Sequence, residues 1–409
     1  MSNKRKIIND PVFGFINIPS DFLYDIIQHR YFQRLQRIRQ LGLAALVYPG
    51  AQHTRLQHSL GAFYLTSEAV KQLRSKGHNI TDQEAEGVMA AILLHDVGHG
   101  PFSHVLEHTL VHDITHEELS QLLMQRMNAE FAGRLDTAIS IFNNHYPKYF
   151  LHQLISSQLD MDRLDYLRRD CFYTGVVEGE IGSARIIKML DVCDDHLVIE
   201  RKGIYSIENF LIARRFMYWQ VYLHKTSLAA EVMLVKLLQR ARWLAQHGTQ
   251  LFGTPALLYF LQHDANRSDF LNKAATLDYF TDLDDNDLLS AIKVWSHTDD
   301  RILALLSRNF IERRLFKAIE VTPLNQERIE QLNTHYADIL GINPADAHYL
   351  YGERNVAQNT YTSDDEGIRI LFADGTTRDI AQVSDILNQE THKHYLCYMA
   401  PLCQKLTQI

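Results

Sequence analysis

Between residues 95 and 104 the chain reads His95-Asp96-Val97-Gly98-His99-Gly100-Pro101-Phe102-Ser103-His104. Histidine is the commonest metal ligand and the side chain that titrates near neutral pH. An adjacent His and Asp cannot both point along one helix radius, yet at a helix end the backbone can present both to a single ion. Gly98 and Gly100 let the chain turn tightly and pass close to a bound group. One histidine among the 21 of this chain is by default surface scatter. The density of the run is what points to a site.

A second carboxylate sits where it needs a partner. Ile155, Leu159, Asp162, Tyr166 and Arg169 recur at helical spacing and put an aspartate in an apolar stripe. A buried carboxylate is unfavourable unless it is paired or binds metal, so Asp162 is either a ligand or the partner of an arginine. A set of two histidines and two aspartates suits a first-row divalent ion, leaving positions for water and a phosphate oxygen. Such an ion lowers the pKa of its water and polarises a phosphoryl oxygen. The four cysteines, Cys171, Cys193, Cys397 and Cys403, are too scattered for a thiolate zinc site or a disulfide framework.

The elements that must hold these residues are helical. Apolar spacing predicts helices over 21–41, 59–76 and about 151–171. Thr81 and Glu84 make a capping box for a helix that runs to Gly98 and carries His95 and Asp96 in its last turn. Residues 196–200 and 204–206 read as a hairpin, followed by a long helix over 207–246 that stops at Gly248. Beyond Gly253 shorter helices alternate with strand-like segments. The clearest hairpin there is 368–372 against 377–380, turned at Asp374 and Gly375. The expected fold is mostly α, divided near residue 250 into a helical core (1–250) and a smaller α+β C-terminal region (251–409).

The whole chain narrows the function classes. A length of 409 residues, 46% hydrophobic and 22% charged, is that of an ordinary globular protein. The net charge of −8 argues against general affinity for nucleic acid or anionic membrane. No apolar run approaches a membrane span, and Asn9, Asp10 and Pro11 stand where a signal peptide would be apolar. A cytoplasmic, reducing setting is expected.

The ordered set of motifs resembles the HD-domain metal-dependent phosphohydrolases, whose signature is a separated His, an adjacent His-Asp and a distant Asp on helices. His58, His95, Asp96 and Asp162 match that order. The likeness is greatest to the deoxynucleoside triphosphate triphosphohydrolase, or dGTPase-like, branch. It is carried by Gln33-Arg34-Leu35, Gln40-Leu41-Gly42, Pro49-Gly50-Ala51, His58-Ser59-Leu60-Gly61, the run from His95 to His104, Asp160-Met161-Asp162-Arg163, Asp165-Tyr166, Arg169-Asp170-Cys171 and Tyr222-Leu223-His224-Lys225.

The resemblance implies a nucleotide substrate and one divalent ion (Mn, Fe, Co, Ni, Zn or Mg) on His58, His95, Asp96 and Asp162. It assigns phosphate contacts to Arg55, His99, His104, Arg163 and Arg214, and a catalytic or supporting role to His116, which Glu107 would orient. Tyr166 and Asp170 would meet the sugar 3′-hydroxyl, and Gln40, Leu41 and Tyr222 would close round sugar and base. Otherwise Arg55 and Arg163 are surface cations or partners of Asp160 and Asp165. The resemblance also implies a homo-oligomer, dimer or tetramer. Where nucleotide-activated relatives carry Asp and Arg, this chain has Gln28 and Gln36, which argues against that activation. A nucleotidase or cyclic-nucleotide phosphodiesterase using the same ion is the alternative enzyme. A non-catalytic nucleotide or nucleic-acid sensor is the alternative outside enzymes.

Overall fold

The computed structural model describes residues 6–102, 105, 109–359, 361, 367–384 and 390–401. Helices dominate and the sheets are small. An antiparallel hairpin, β1 (Lys6–Asp10) and β2 (Gly14–Ile18), leads into α1 (Asp21–Gln28) and α2 (Arg30–Arg34). The expected helix over 21–41 is therefore interrupted. His29 adopts extended backbone (ψ 141°) and its ring accepts from Tyr31 N, capping α2. A 3₁₀ turn, Leu35–Arg37, follows instead of further α-helix.

Helix α3 (Arg55–Ser75) stops before Gly77, whose φ of +93° suits glycine. Helix α4 (Asp82–Leu94) starts at the expected capping box, where Glu84 N donates to Thr81 Oγ1 and Thr81 N to Glu84 Oε2. It ends at Leu94, with His95 as its cap, so Asp96 lies in the following turn rather than in the helix. Strand β3 (Val111–His112) and helices α5 (His116–Glu130), α6 (Asp136–Phe142) and α7 (Tyr149–Gln153) come next.

The expected helix over 151–171 is two helices, because Asp160 caps a new one: α8 (Met161–Thr174) begins with Asp160 Oδ1 accepting from Arg163 N. Ile155 and Leu159 thus fall outside it, whereas Asp162, Tyr166 and Arg169 stay on α8. After α9 (Ser183–Met189), the predicted hairpin is shifted one strand earlier. β4 (Leu190–Cys193) pairs with β5 (His196–Glu200) across Asp194 and Asp195, both with left-handed φ. Residues 204–206 open α10 (Ile204–Met217). A π-helical turn, Tyr218–Tyr222, and an extended His224 that caps α11 (Lys225–Gln246) break the expected long helix.

Of the later helices, Pro255–Gln262 and Arg301–Ile311 pack on α11, and strand β6 (Ala265–Asn266) runs parallel to β3. The later strands are β7 (Lys317–Glu320), β8 (Tyr351–Asn359), β9 (Arg369–Leu371), β10 (Thr377–Asp379) and β11 (Glu390–Tyr398). The hairpin turned at Asp374 and Gly375 forms as β9 and β10, and β9 adds in parallel to β5. One buried core runs from Ile16 to Met399.

Two side chains fasten the later helices to the loops of the first half. Buried Arg34 donates from Nε to Leu283 O (3.0 Å) and from Nη1 to His99 O (2.8 Å). Asp285, opening the helix Asp285–Trp295, accepts from Arg39 N (3.0 Å) and Phe102 N (3.3 Å). Among the described residues no helix is long and apolar enough to cross a membrane.

Candidate metal centre and its cavity

Helix α3 supplies His58, the end of α4 supplies His95, and the first turn of α8 supplies Asp162. One ligand atom from each lies within 4.8 Å of the others. His58 Nε2 is 2.9 Å from Asp162 Oδ1 and 3.3 Å from His95 Nε2. The other ring nitrogens are occupied: His58 Nδ1 donates to Asp165 Oδ2 (2.7 Å) and His95 Nδ1 to Ile92 O (2.6 Å). In the neutral tautomer each Nε2 therefore turns a lone pair toward the same point, a repulsive arrangement that a cation relieves. Outward partners of this kind are what fix metal-ligating histidines.

Asp96 stands beside this trio. Its Oδ1 is 3.4 Å from His95 Nε2 and 3.2 Å from His99 Nε2, and its Oδ2 is 3.8 Å from His58 Nε2. Arg55 Nη1 also donates to that Oδ2 at 2.6 Å. Burial favours the neutral acid, but the charges of His95 and Arg55 hold the Asp96 pKa well below the usual carboxylate range. Asp162 is likewise pushed down, its desolvation outweighed by hydrogen bonds from His58 and His95. Burial alone would lower the His58 pKa, yet its hydrogen bonds to Asp162 and Asp165 raise it to about 10. Ionised carboxylates beside convergent imidazoles are a hard, nitrogen-and-oxygen donor set that fits a divalent ion.

Glycine 61 makes this packing possible. A Cβ there would lie 1.9 Å from Asp165 Oδ1 and 2.1 Å from Arg169 Nη2, so α8 can approach α3 only because the side chain is absent. Arg169 completes a buried network, donating to Asp165 (2.9 Å) and from Nη1 to Asp10 Oδ2 (2.7 Å). Gly98 has a different role from the one expected. It brings the chain against α5, where a Cβ would sit 2.1 Å from His116 O, rather than against a bound group. Ser120 on α5 fastens the turn, accepting from Gly98 N and donating to His95 O.

The centre opens into a cavity of about 670 Å³ lined by Arg55, His95, Asp96, His99, His116, Asp162 and Arg163. Gln40, Leu41, Tyr166, Asp170 and Tyr222 line it as well. His99 stacks on His116 with ring centroids 3.9 Å apart, and burial together with the Arg55 charge lowers its pKa to about 3. His116 Nε2 lies 3.1 Å from Glu117 Oε1. Asp170 is held from two sides, by Tyr222 OH (2.7 Å) and His53 Nε2 (2.8 Å). Gln40 Oε1 is buried without a hydrogen-bond partner. Arg163 lines the cavity while its Nε donates to Asp160 (3.2 Å). Arg214 is not among the described lining residues, and its Nη1 donates to Gln158 Oε1 (3.1 Å). His104 and Glu107 lie outside the described residues.

Sequence reasoning missed Asp165, Arg169 and Gly61 as supports of His58. Their signal was present: Asp165 follows Asp162 by three residues on one helix, and Arg169 follows Asp165 by four. His53 carried no such signal, because its partner Asp170 is 117 residues away.

Two family profiles match this chain: the HD domain over residues 55–170 and the HD associated region over 181–250. A solved phosphohydrolase from Bacteroides thetaiotaomicron VPI-5482 is 58% identical with a TM-score of 0.94, covering 97% of this chain and 100% of that one. Uncharacterized protein YwfO of Bacillus subtilis (strain 168) is 33% identical over 405 residues, 96% of this chain and 90% of that protein. The deoxynucleoside triphosphate triphosphohydrolase SAMHD1 homolog of Dictyostelium discoideum is 29% identical over 248 residues. That match takes in 56% of this chain and 48% of the relative, so the chain spans about half the relative's length.

Proposed function

Because this chain belongs to the HD-domain phosphohydrolases, we propose that it hydrolyses deoxynucleoside triphosphates to deoxynucleoside and intact triphosphate, at a divalent ion held by His58, His95, Asp96 and Asp162. The observation that carries this reading is one cavity in which the His58, His95 and Asp162 cluster meets Arg55, Arg163 and a wall of Gln40, Tyr166, Asp170 and Tyr222. The triphosphohydrolase activity named for the Dictyostelium relative supports it. When bound, an ion such as Mn, Fe, Co, Ni, Zn or Mg supplies an acidified water and polarises a phosphoryl oxygen.

The chain's own groups do the rest. Arg163 meets phosphate oxygens with charge-assisted hydrogen bonds, while Arg55 steadies Asp96 and faces the same space. His99 stays neutral beside Asp96, where its Nε2 meets the carboxylate and its ring stacks on His116. His116, braced by Glu117, holds the proton that the leaving 5′-oxygen needs as the bond from Pα to that oxygen breaks and water oxygen bonds to Pα. Asp170, oriented by Tyr222 and His53, accepts from the sugar 3′-hydroxyl. Assembly into a dimer or tetramer belongs to the same reading.

Incubating the protein with each deoxynucleoside triphosphate and Mn²⁺, Mg²⁺, Fe²⁺ or Co²⁺, with products followed by ³¹P NMR, tests it. Tripolyphosphate is the expected phosphorus product. Orthophosphate or pyrophosphate would instead mark a nucleotidase or another phosphohydrolase.

A further inference from the structure

One wall of the cavity is built by α11 and β8, and two of its polar atoms, on Ser227 and Arg354, lack hydrogen-bond partners. Ser227 on α11 is 2% exposed, and its Oγ has no hydrogen-bond partner. Arg354 on β8 lines the same cavity with a buried, unpartnered Nε. Its side chain makes no hydrogen bond or ion pair among the described residues. Glu231, one helical turn beyond Ser227, lines that wall too.

The backbone explains why a strand residue reaches this place. Gly352 on β8 faces α11, since a Cβ there would lie 2.9 Å from Val232 Cγ1. Side chains alternate along a strand, so Arg354 faces α11 as well. Two strand residues advance about 6.8 Å, the rise of about four to five helical residues. Arg354 accordingly lines the cavity together with Ser227 and Leu228 of α11. A buried guanidinium nitrogen and a buried hydroxyl without partners are costly unless a ligand completes them.

We propose that Arg354, Ser227 and Glu231 form a base-reading wall that favours keto bases over amino bases. This rests on the deoxynucleotide reading of the cavity and adds the chemistry of the base. Guanine and thymine each present a carbonyl acceptor beside a ring N–H donor, whereas adenine and cytosine present an amino donor beside a ring acceptor. Arg354 donates to the carbonyl and Glu231 accepts from the ring N–H, with the Ser227 hydroxyl donating alongside. An amino base turns a donor toward the guanidinium, which has no acceptor to offer.

Steady-state kinetics on the full-length, metal-loaded protein test this with two pairs matched in ring size, dGTP against dATP and dTTP against dCTP. The expected kcat/KM preference for the keto member is about tenfold or more in each pair. Arg354→Met, which keeps the stem and removes the guanidinium, is expected to bring both ratios to within about threefold of unity, and Arg354→Lys to fall between. Equal turnover within both pairs by the wild type would overturn the proposal, as would an unchanged preference in a folded Arg354→Met protein. Should that variant not fold, Ser227→Ala decides, and unchanged ratios there overturn the proposal. Turnover without base preference removes only this inference, while no turnover of any deoxynucleotide removes the proposed function and this inference together.

Discussion

Arg55 and Arg163 look alike in the sequence, each a basic residue beside a candidate ligand, yet their surroundings differ. Arg55 Nη1 is bound to Asp96 at 2.6 Å, whereas the partner of Arg163 is Asp160, the cap of α8. Arg55→Ala is therefore expected to lower both metal content and kcat/KM, because Asp96 loses the cation that holds it. Arg163→Ala is expected to leave metal content at the wild-type level while kcat/KM falls roughly tenfold to hundredfold, the scale of one charge-assisted hydrogen bond. Elemental analysis beside steady-state kinetics separates the two. Equal metal loss in both variants, or in neither, would remove the distinction. At this scale the residue types of the site were legible because chemistry restricts them. The pairing of Asp170 with His53 was not, since it joins residues brought together only by the fold.

The approach of α8 to α3 depends on Gly61. In Gly61→Ala the new methyl group meets the Asp165 carboxylate and the Arg169 guanidinium, both fully buried and unable to step aside. A loss of stability of at least about 3 kcal/mol is expected, the upper range for overpacking with a buried ion pair disturbed as well. Chemical denaturation checks it, and a change under about 1 kcal/mol would show that the helices can separate at little cost. Helix positions were legible where standard caps mark them, as at Thr81 with Glu84 and at Gly77. The sequence pattern misread continuous helices over 21–41 and 207–246 because the breaks are capped by His29 and His224, residues outside the usual Ser, Thr, Asp and Asn set. The break at Asp160 did carry a standard cap, but the apolar spacing of Ile155 and Leu159 ran across it. The π-helical turn, Tyr218–Tyr222, left no signal in the apolar spacing, although it carries Tyr222 to Asp170.

Across the whole molecule, the helices after residue 250 hold the loops around the cavity, and Asp285 is the sharpest instance. Burial raises its pKa from 3.8 to about 6, against the lowering effect of its bond from Arg39 N. A carboxyl whose folded pKa is raised gives stability that is fully present below its unfolded pKa and is lost as pH rises through the folded value. Relative to Asp285→Asn, the wild type is therefore expected to lose up to about 3 kcal/mol between about pH 4 and pH 7 and to change no further above that. Thermal unfolding of both proteins across this range measures it, and a difference independent of pH would mean that Asp285 is ionised throughout. The mostly helical class and the late hairpin at Asp374 and Gly375 were legible from periodicity and turn chemistry. The parallel pairing of β5 with β9 was not, because nothing local records a contact between strands so far apart in the chain. The central claim is that His58, His95, Asp96 and Asp162 hold one divalent ion on which hydrolysis depends. Elemental analysis of the purified wild type and of folded Asp96→Ala and Asp162→Ala tests it most directly: about one equivalent of metal per chain is predicted for the wild type and little or none for either variant, and wild-type metal content in both variants would contradict it.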